Sequence, residues 1–177
     1  MEKIAVFCAA SDSIDAKYVE KAKELGTWMG QQHKTLVYGG SNAGLMEAIA
    51  LAVKTNGGTV MGVVPTLLEN NGKKSDLLDI TFRTDNLSDR KDTMLRESEV
   101  LVALPGGVGT LDEVFHVMAA STLNYHHKPI IFYNVDGFWN DLLSFLEHLY
   151  DQHFMHKSLT ELYAVANNLE ELTDLIH

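Results

Sequence analysis

Short apolar runs rich in Val and Ile recur along this chain, separated by longer amphipathic stretches, and that alternation restricts the fold more than any other feature. The runs cover residues 4–9, 35–38, 59–64, 100–104 and 130–133, with 163–166 closing the series. They lack the polar alternation of half-exposed strands, so they read as strands buried on both faces. Residues 80–84 alternate more and read as an edge strand. Tyr18, Ala22, Leu25 and Met29 share one helical face, and Leu142, Phe145, Leu146 and Leu149 share another. Residues 44–54, 89–97, 110–122 and 169–176 complete the helical patterns. A βαβα order repeated from end to end predicts one α/β domain over residues 1–177. Its sheet is doubly wound and mostly parallel, with helices on both faces, as in Rossmann-like folds. The irregular stretch 66–78, with Asn70-Asn71-Gly72-Lys73-Lys74, reads as a surface turn or a mobile loop near the site.

Ligands of such folds bind at the carboxyl ends of the strands, and two glycine-rich segments sit there. One is Gly39-Gly40-Ser41-Asn42-Ala43-Gly44, and the other is Pro105-Gly106-Gly107-Val108-Gly109-Thr110. Glycine lets the backbone turn sharply and approach a ligand, and the helix that follows offers free N–H groups to an anion. Either loop alone is equally a plain strand-to-helix turn, but two in one small domain favour a nucleotide-like ligand. Neither reads G-x-G-x-x-G, and residues 59–64 carry no acid to hold an adenosine ribose, which argues against NAD. No G-x-x-x-x-G-K-[ST] occurs, which argues against a P-loop NTPase.

The formal net charge of −10 repels nucleic acid and anionic membranes, so neither is an expected partner. Any phosphate must be held locally, by backbone N–H groups and one or two placed cations. The sole cysteine, Cys8, cannot form an intrachain disulfide, and no leader or membrane-length apolar run appears, so the expected location is the cytoplasm. Cys8 reads as a small buried residue rather than a nucleophile. Eight histidines raise the question of a metal. His126 and His127 are adjacent, His153 and His156 would lie one helical turn apart, and no Cys or carboxylate completes a zinc spacing; no metal is expected.

The segment from Pro105 through Glu113 resembles the P-G-G-x-G-T-x-x-E motif of the LOG family, the cytokinin riboside 5′-monophosphate phosphoribohydrolases and their bacterial relatives. Upstream, Asp89-Arg90-Lys91-Asp92-Thr93-Met94 resembles the family's E-R-K-x-x-M segment. The resemblance extends over nearly the whole chain. It implies a homodimeric Rossmann-like enzyme that hydrolyses the N-glycosidic bond of a nucleoside 5′-monophosphate to free base and ribose 5-phosphate, without a cofactor. It also implies catalytic roles for Arg90 and Glu113. Nothing suggests a pyridoxal site, although relatives are often labelled lysine decarboxylases. The chain departs from the family pattern at Ala9-Ala10, at Ser88-Asp89 and at Ala120-Ser121-Thr122, changes that leave the pair intact and bear on base preference.

Cleaving a ribose C1′–N bond develops positive charge on the sugar, which a carboxylate stabilises; that role falls to Glu113. Arg90 can fix either the phosphate or that carboxylate. The expected substrate-binding residues are Gly39, Gly40, Ser41 and Gly44 from the first loop, Gly106, Gly107, Val108, Gly109 and Thr110 from the second, and Lys91 and Asp112 beside them. Two alternatives stay open. Thr110-x-x-Glu113 is also a capping box, in which Glu113 would merely satisfy a helix start. Secondly, a non-catalytic nucleotide or cofactor carrier would use the same glycine loops without the Arg90–Glu113 pair. The apolar residues Val114, Val117 and Met118 are either a dimer seam or core.

Overall fold

A computed structural model describes all 177 residues. Seven parallel strands form one sheet: β1 (Lys3–Phe7), β2 (Thr35–Tyr38), β3 (Thr59–Pro65), β4 (Ile80–Thr84), β5 (Val100–Ala103), β6 (Ile130–Tyr133) and β7 (Ala164–Ala166). Their spatial order is β4-β3-β2-β1-β5-β6-β7. The chain winds outward in one direction from β1, then returns to place β5 on the other side of β1, with Ile4 opposite Val100 and Phe7 opposite Ala103. That reversal opens a crevice between the carboxyl ends of β1 and β5, where open α/β sheets bind ligands.

Successive side chains of each strand point to opposite faces, and both faces are covered. Ile4 and Val6 of β1 join Leu36, Val60, Val102 and Ile131 in a core beneath α1 (Ala16–Gln31), α2 (Gly44–Thr55) and, at the sheet's end, the last helix of the chain. Ala5 and Phe7 face the other way, into a core built with Val37, Leu101 and Phe132. This double burial explains why the strands show no polar alternation. The edge strand β4 is less covered, with Ile80 40% exposed, Arg83 exposed and only Thr84 buried. Three helices not read from the sequence as such are short: α3 (Thr66–Asn70), which occupies part of the stretch expected to be irregular; a single 3-10 turn at Val135–Gly137; and α7 (Leu159–Leu162). The second core packs against α4 (Leu87–Glu97), α5 (Val108–Thr122), α6 (Asn140–Asp151) and α7, and α8 (Leu169–Ile176) ends the chain.

One open alternative is decided here and one expectation is corrected. Val114, Val117 and Met118 are 0%, 1% and 3% exposed and belong to the second core, so any association of two copies must use other residues. His153 and His156 do not share a helix, because α6 ends at Asp151 and His153 adopts a left-handed φ of 63°. No helix is long and apolar enough to cross a membrane.

Candidate active site

The crevice at the β1–β5 reversal holds a cavity of about 390 Å³. Its walls come from three places that the fold brings together: the segment after β1 (Cys8 to Ser11), the first turn of α4 (Leu87, Arg90, Lys91), and the second glycine loop with the start of α5 (Gly107, Gly109, Thr110, Asp112, Glu113). Met46 of α2 adds one apolar contact.

Helix α5 begins at Val108 with Gly107 as its N-cap, and no side chain caps it. Thr110 is therefore the third helical residue rather than the cap, and Glu113 lies a full turn inside the helix. The capping-box alternative fails on that geometry. The N–H groups from Gly106 to Thr110 have no acceptor in the protein, which leaves a row of donors at the positive end of the helix. A β-carbon at Gly107 or Gly109 would meet nothing within 4 Å, so the protein itself does not fill the space in front of them. At Gly106, by contrast, a β-carbon would collide with the Thr110 side chain.

Glu113 is only 6% exposed, and its Oε2 is buried without a hydrogen-bond partner. Burial pushes its carboxyl up to about 7, with Asp112 adding to the rise and the Arg90 and Lys91 cations opposing it. Such a group is a carboxylate in only part of the molecules at neutral pH and can exchange a proton there. An unpaired buried acid destabilises a fold, and in a cleft that strain points to function.

Arg90 sits across the cavity on α4 with its head group fixed by two backbone carbonyls. Nε donates to Val63 of β3 at 3.2 Å, and one terminal nitrogen donates to Gly39 at 2.6 Å. The guanidinium makes no ion pair with Glu113; the two act on each other through space. Lys91 is held by Asp112 at 2.9 Å, and His116 meets Asp92 at 2.9 Å, so two polar links tie α4 to α5 and hold Arg90 and Glu113 in register. Cys8 lines the same cavity, 2% exposed; burial, reinforced by Glu113, drives its thiol upward and keeps it protonated and inert.

The first glycine loop behaves differently. Gly44, at φ 60°, donates its N–H to Asp12 Oδ1 at 2.8 Å, and the N–H groups of Leu45 and Met46 both reach the Ala9 carbonyl, at 3.0 and 3.3 Å. The start of α2 thus has no donor left for a phosphate. Gly39, Gly40 and Gly44 do not line the cavity. A β-carbon at Gly39 would collide with the Arg90 guanidinium, so that glycine is the seat of the arginine. Ser41 instead faces a second cavity of about 350 Å³, which shares Ala10, Met46 and Arg90 with the first.

The family model described as "Possible lysine decarboxylase" matches residues 46–176. A protein of Oryza sativa subsp. japonica named "Probable cytokinin riboside 5'-monophosphate phosphoribohydrolase" is 35% identical over 172 residues, covering 97% of this chain and 69% of that one. A cytokinin riboside 5′-monophosphate phosphoribohydrolase of Arabidopsis thaliana is 34% identical over 171 residues, 97% of this chain and 75% of its own. The chain belongs to the LOG family. Among solved structures, the molybdenum cofactor carrier protein of Chlamydomonas reinhardtii superposes with a TM-score of 0.77 at 25% identity, covering 99% of this chain and 95% of that one.

Within this LOG-family chain, Arg90, Lys91, Gly107, Gly109, Thr110, Asp112 and Glu113 converge on one cavity, while Gly106 and Val108 do not line it; Val108 is 84% exposed. Of the three departures from the family pattern, only Ala9-Ala10 lines the site. Ser88 and Asp89 are exposed on the first turn of α4, where the Asp89 N–H is capped by Asn86, and residues 120–122 end α5 far along the helix from its start. Sequence reasoning did not name Cys8, Ala9, Ala10, Ser11, Met46 or Leu87 as wall residues. The signal for the first four was available: they follow β1, which a doubly wound order places at the reversal. No three His, Cys, Asp or Glu side chains converge as a metal set.

Proposed function

We propose that the chain hydrolyses the N-glycosidic bond of a nucleoside 5′-monophosphate. The observation that carries this reading is a buried, unpartnered carboxylate, Glu113, one turn along a helix whose first N–H groups are all free. A phosphate on those donors, in front of Gly107 and Gly109, sets the ribose beside Glu113. As the C1′–N bond breaks, its electron pair stays with the base, water supplies the hydroxyl that bonds to C1′, and the proton that water gives up passes by way of Glu113 to the departing base. The Glu113 carboxylate stabilises the developing sugar cation and accepts the water proton. Arg90, at the far wall with its fork anchored on Gly39 and Val63, holds the ribose side of the substrate rather than the phosphate and offsets the Glu113 charge. The names carried by the relatives support the same reaction class.

A second reading is a carrier that binds a phosphorylated cofactor and does not cleave it. The likeness to the molybdenum cofactor carrier, and a second cavity that shares Ala10, Met46 and Arg90 with the first, favour it. One experiment separates the two. Incubation with a panel of nucleoside 5′-monophosphates, followed by chromatography, yields free base and ribose 5-phosphate for the hydrolase. Nucleoside plus inorganic phosphate, or stoichiometric binding with the nucleotide intact, would overturn it.

A further inference from the structure

At the opposite edge of the sheet from the catalytic crevice, the amino ends of β6 and β7 border a separate cavity of about 190 Å³. Its walls are Ser121 at the end of α5, the segment His127 to Ile130 that leads into β6, Lys157, and the segment Thr160 to Ala164. Ile130, Leu162 and Ala164 make its apolar part. The polar part holds two ammonium groups, on Lys128 and Lys157.

Both lysines are half-buried, and each is held by the carbonyl end of a helix. Lys157 donates to the Ser121 carbonyl at 2.5 Å, at the end of α5. Lys128 donates to the Leu95 carbonyl and reaches that of Arg96 at 3.5 Å, at the end of α4. An ammonium has three N–H donors, so two on Lys157 and at least one on Lys128 lack a protein acceptor. The carboxylates nearby are engaged elsewhere. Glu161, the acid on the wall, accepts from the N–H and hydroxyl of Ser158, at 3.0 and 2.5 Å. Glu97 and Glu99 act on Lys128 only through space. Arg96 and Lys3 pair with the first, at 3.1 and 3.8 Å, and the N–H groups of Glu2 and Lys3 donate to the second.

His126, buried beside these groups, registers their field. Its Nδ1 accepts the Lys128 N–H at 3.1 Å, so Nε2 donates to the Val117 carbonyl at 2.7 Å. Burial holds its pKa below the usual histidine value, and Lys128, His127 and Lys157 all add to the fall. Positive groups therefore converge on one small cavity whose single wall carboxylate is already taken. Free ammonium donors, with the Thr160 hydroxyl beside them, suit a compact oxyanion that accepts from several sides.

We propose that this cavity binds a phosphate-class dianion between Lys128 and Lys157, at the far ends of the two helices whose first turns carry Arg90 and Glu113. Bound there, the anion joins the carbonyl ends of α4 and α5 through the two ammoniums. The site is independent of the hydrolase reading.

Titration of the full chain with inorganic phosphate, followed by amide NMR, tests the site residue by residue. Saturable shifts are expected at His127, Lys128, Lys157 and Tyr163, while the amides of Gly106 to Thr110 report separately on any phosphate in the catalytic crevice. Lys157→Gln and Lys128→Gln should each weaken the first set by about 10-fold or more, the scale of a lost charge-assisted hydrogen bond. Lys157→Arg keeps the cation and should preserve binding. Lys23→Gln removes the same charge from α1, where Lys23 meets Glu20 at 3.0 Å, and should change nothing. A parallel titration with ribose 5-phosphate shows whether free phosphate or a phosphate ester is the tighter occupant. The proposal is overturned if neither anion shifts those amides, if sodium chloride at matched ionic strength shifts them equally, or if Lys157→Gln binds as tightly as the wild type.

Discussion

After β2, the glycine loop is closed in on itself: the Gly39 carbonyl takes a hydrogen bond from Arg90, Gly40 takes one from Ser75, and every N–H at the start of α2 is met by Asp12 or Ala9. After β5, the donors from Gly106 to Thr110 meet nothing, and two of the glycines look onto empty space. Both loops join a strand to a helix, both are glycine-rich, and both lie at the carboxyl edge of the sheet. What separates them is the segment after β1. It crosses over α2 and occupies its donors, and it stops short of α5. Glycine in the first loop makes room for the protein's own arginine, and in the second it makes room for a ligand.

Substitutions at the two loops should therefore fail in different ways. Gly39→Ala drives the β-carbon into the Arg90 head group, which must leave its two carbonyl anchors. Steady-state kinetics should show turnover reduced by about 10²-fold or more, since a misplacement on the order of 1 Å near the reacting centre has that effect. Full activity in Gly39→Ala would mean that Arg90 need not sit where it does.

Glu113 carries the electrostatic cost of the second loop's helix. Its carboxyl stands at about 7 when folded, against an ordinary value of 4.5. A raised folded value favours the folded state only while the group is protonated, and that contribution is lost as pH rises from the ordinary value through the folded one. Glu113→Gln has no such titration. Urea unfolding should show the variant gaining on the wild type between about pH 4.5 and 7, then holding an advantage on the order of 3 kcal/mol. A difference between the two proteins that does not change with pH would contradict a buried, unpaired carboxylate.

Gly109→Ala gives the smallest effect and the clearest contrast with Gly39→Ala. Its β-carbon meets no protein atom, and alanine is the better helix former, so the free protein should gain about 0.5–1 kcal/mol. The same methyl group stands where the phosphate would rest, so KM should rise while the protein becomes more heat-resistant. An unchanged KM would remove the phosphate from this loop.

The fold was legible because burial on both faces leaves a direct trace, the unbroken apolar runs, and because the helices between them are long enough to show their period. The five-residue α3 and four-residue α7 are too short to do so. Arg90 and Glu113 were legible through the motifs that carry them. The different fates of the two glycine loops were not, because they depend on Asp12 and Ala9 reaching a helix more than thirty residues onward, a tertiary contact that leaves no mark on local sequence. For the same reason, Gly44 read as a ligand contact when it is a capped turn. Thr110-x-x-Glu113 likewise read equally as a cap, because only the backbone shows that α5 starts at Val108.

The central claim is that Glu113 acts on the sugar. Glutamine keeps the size of the side chain and its place in α5 but cannot carry the negative charge. The initial rate of Glu113→Gln, on a nucleoside 5′-monophosphate that the wild type cleaves, should fall by about 10²–10³-fold, with nucleotide binding retained. A variant that binds the nucleotide and turns it over at a near-normal rate would contradict the account.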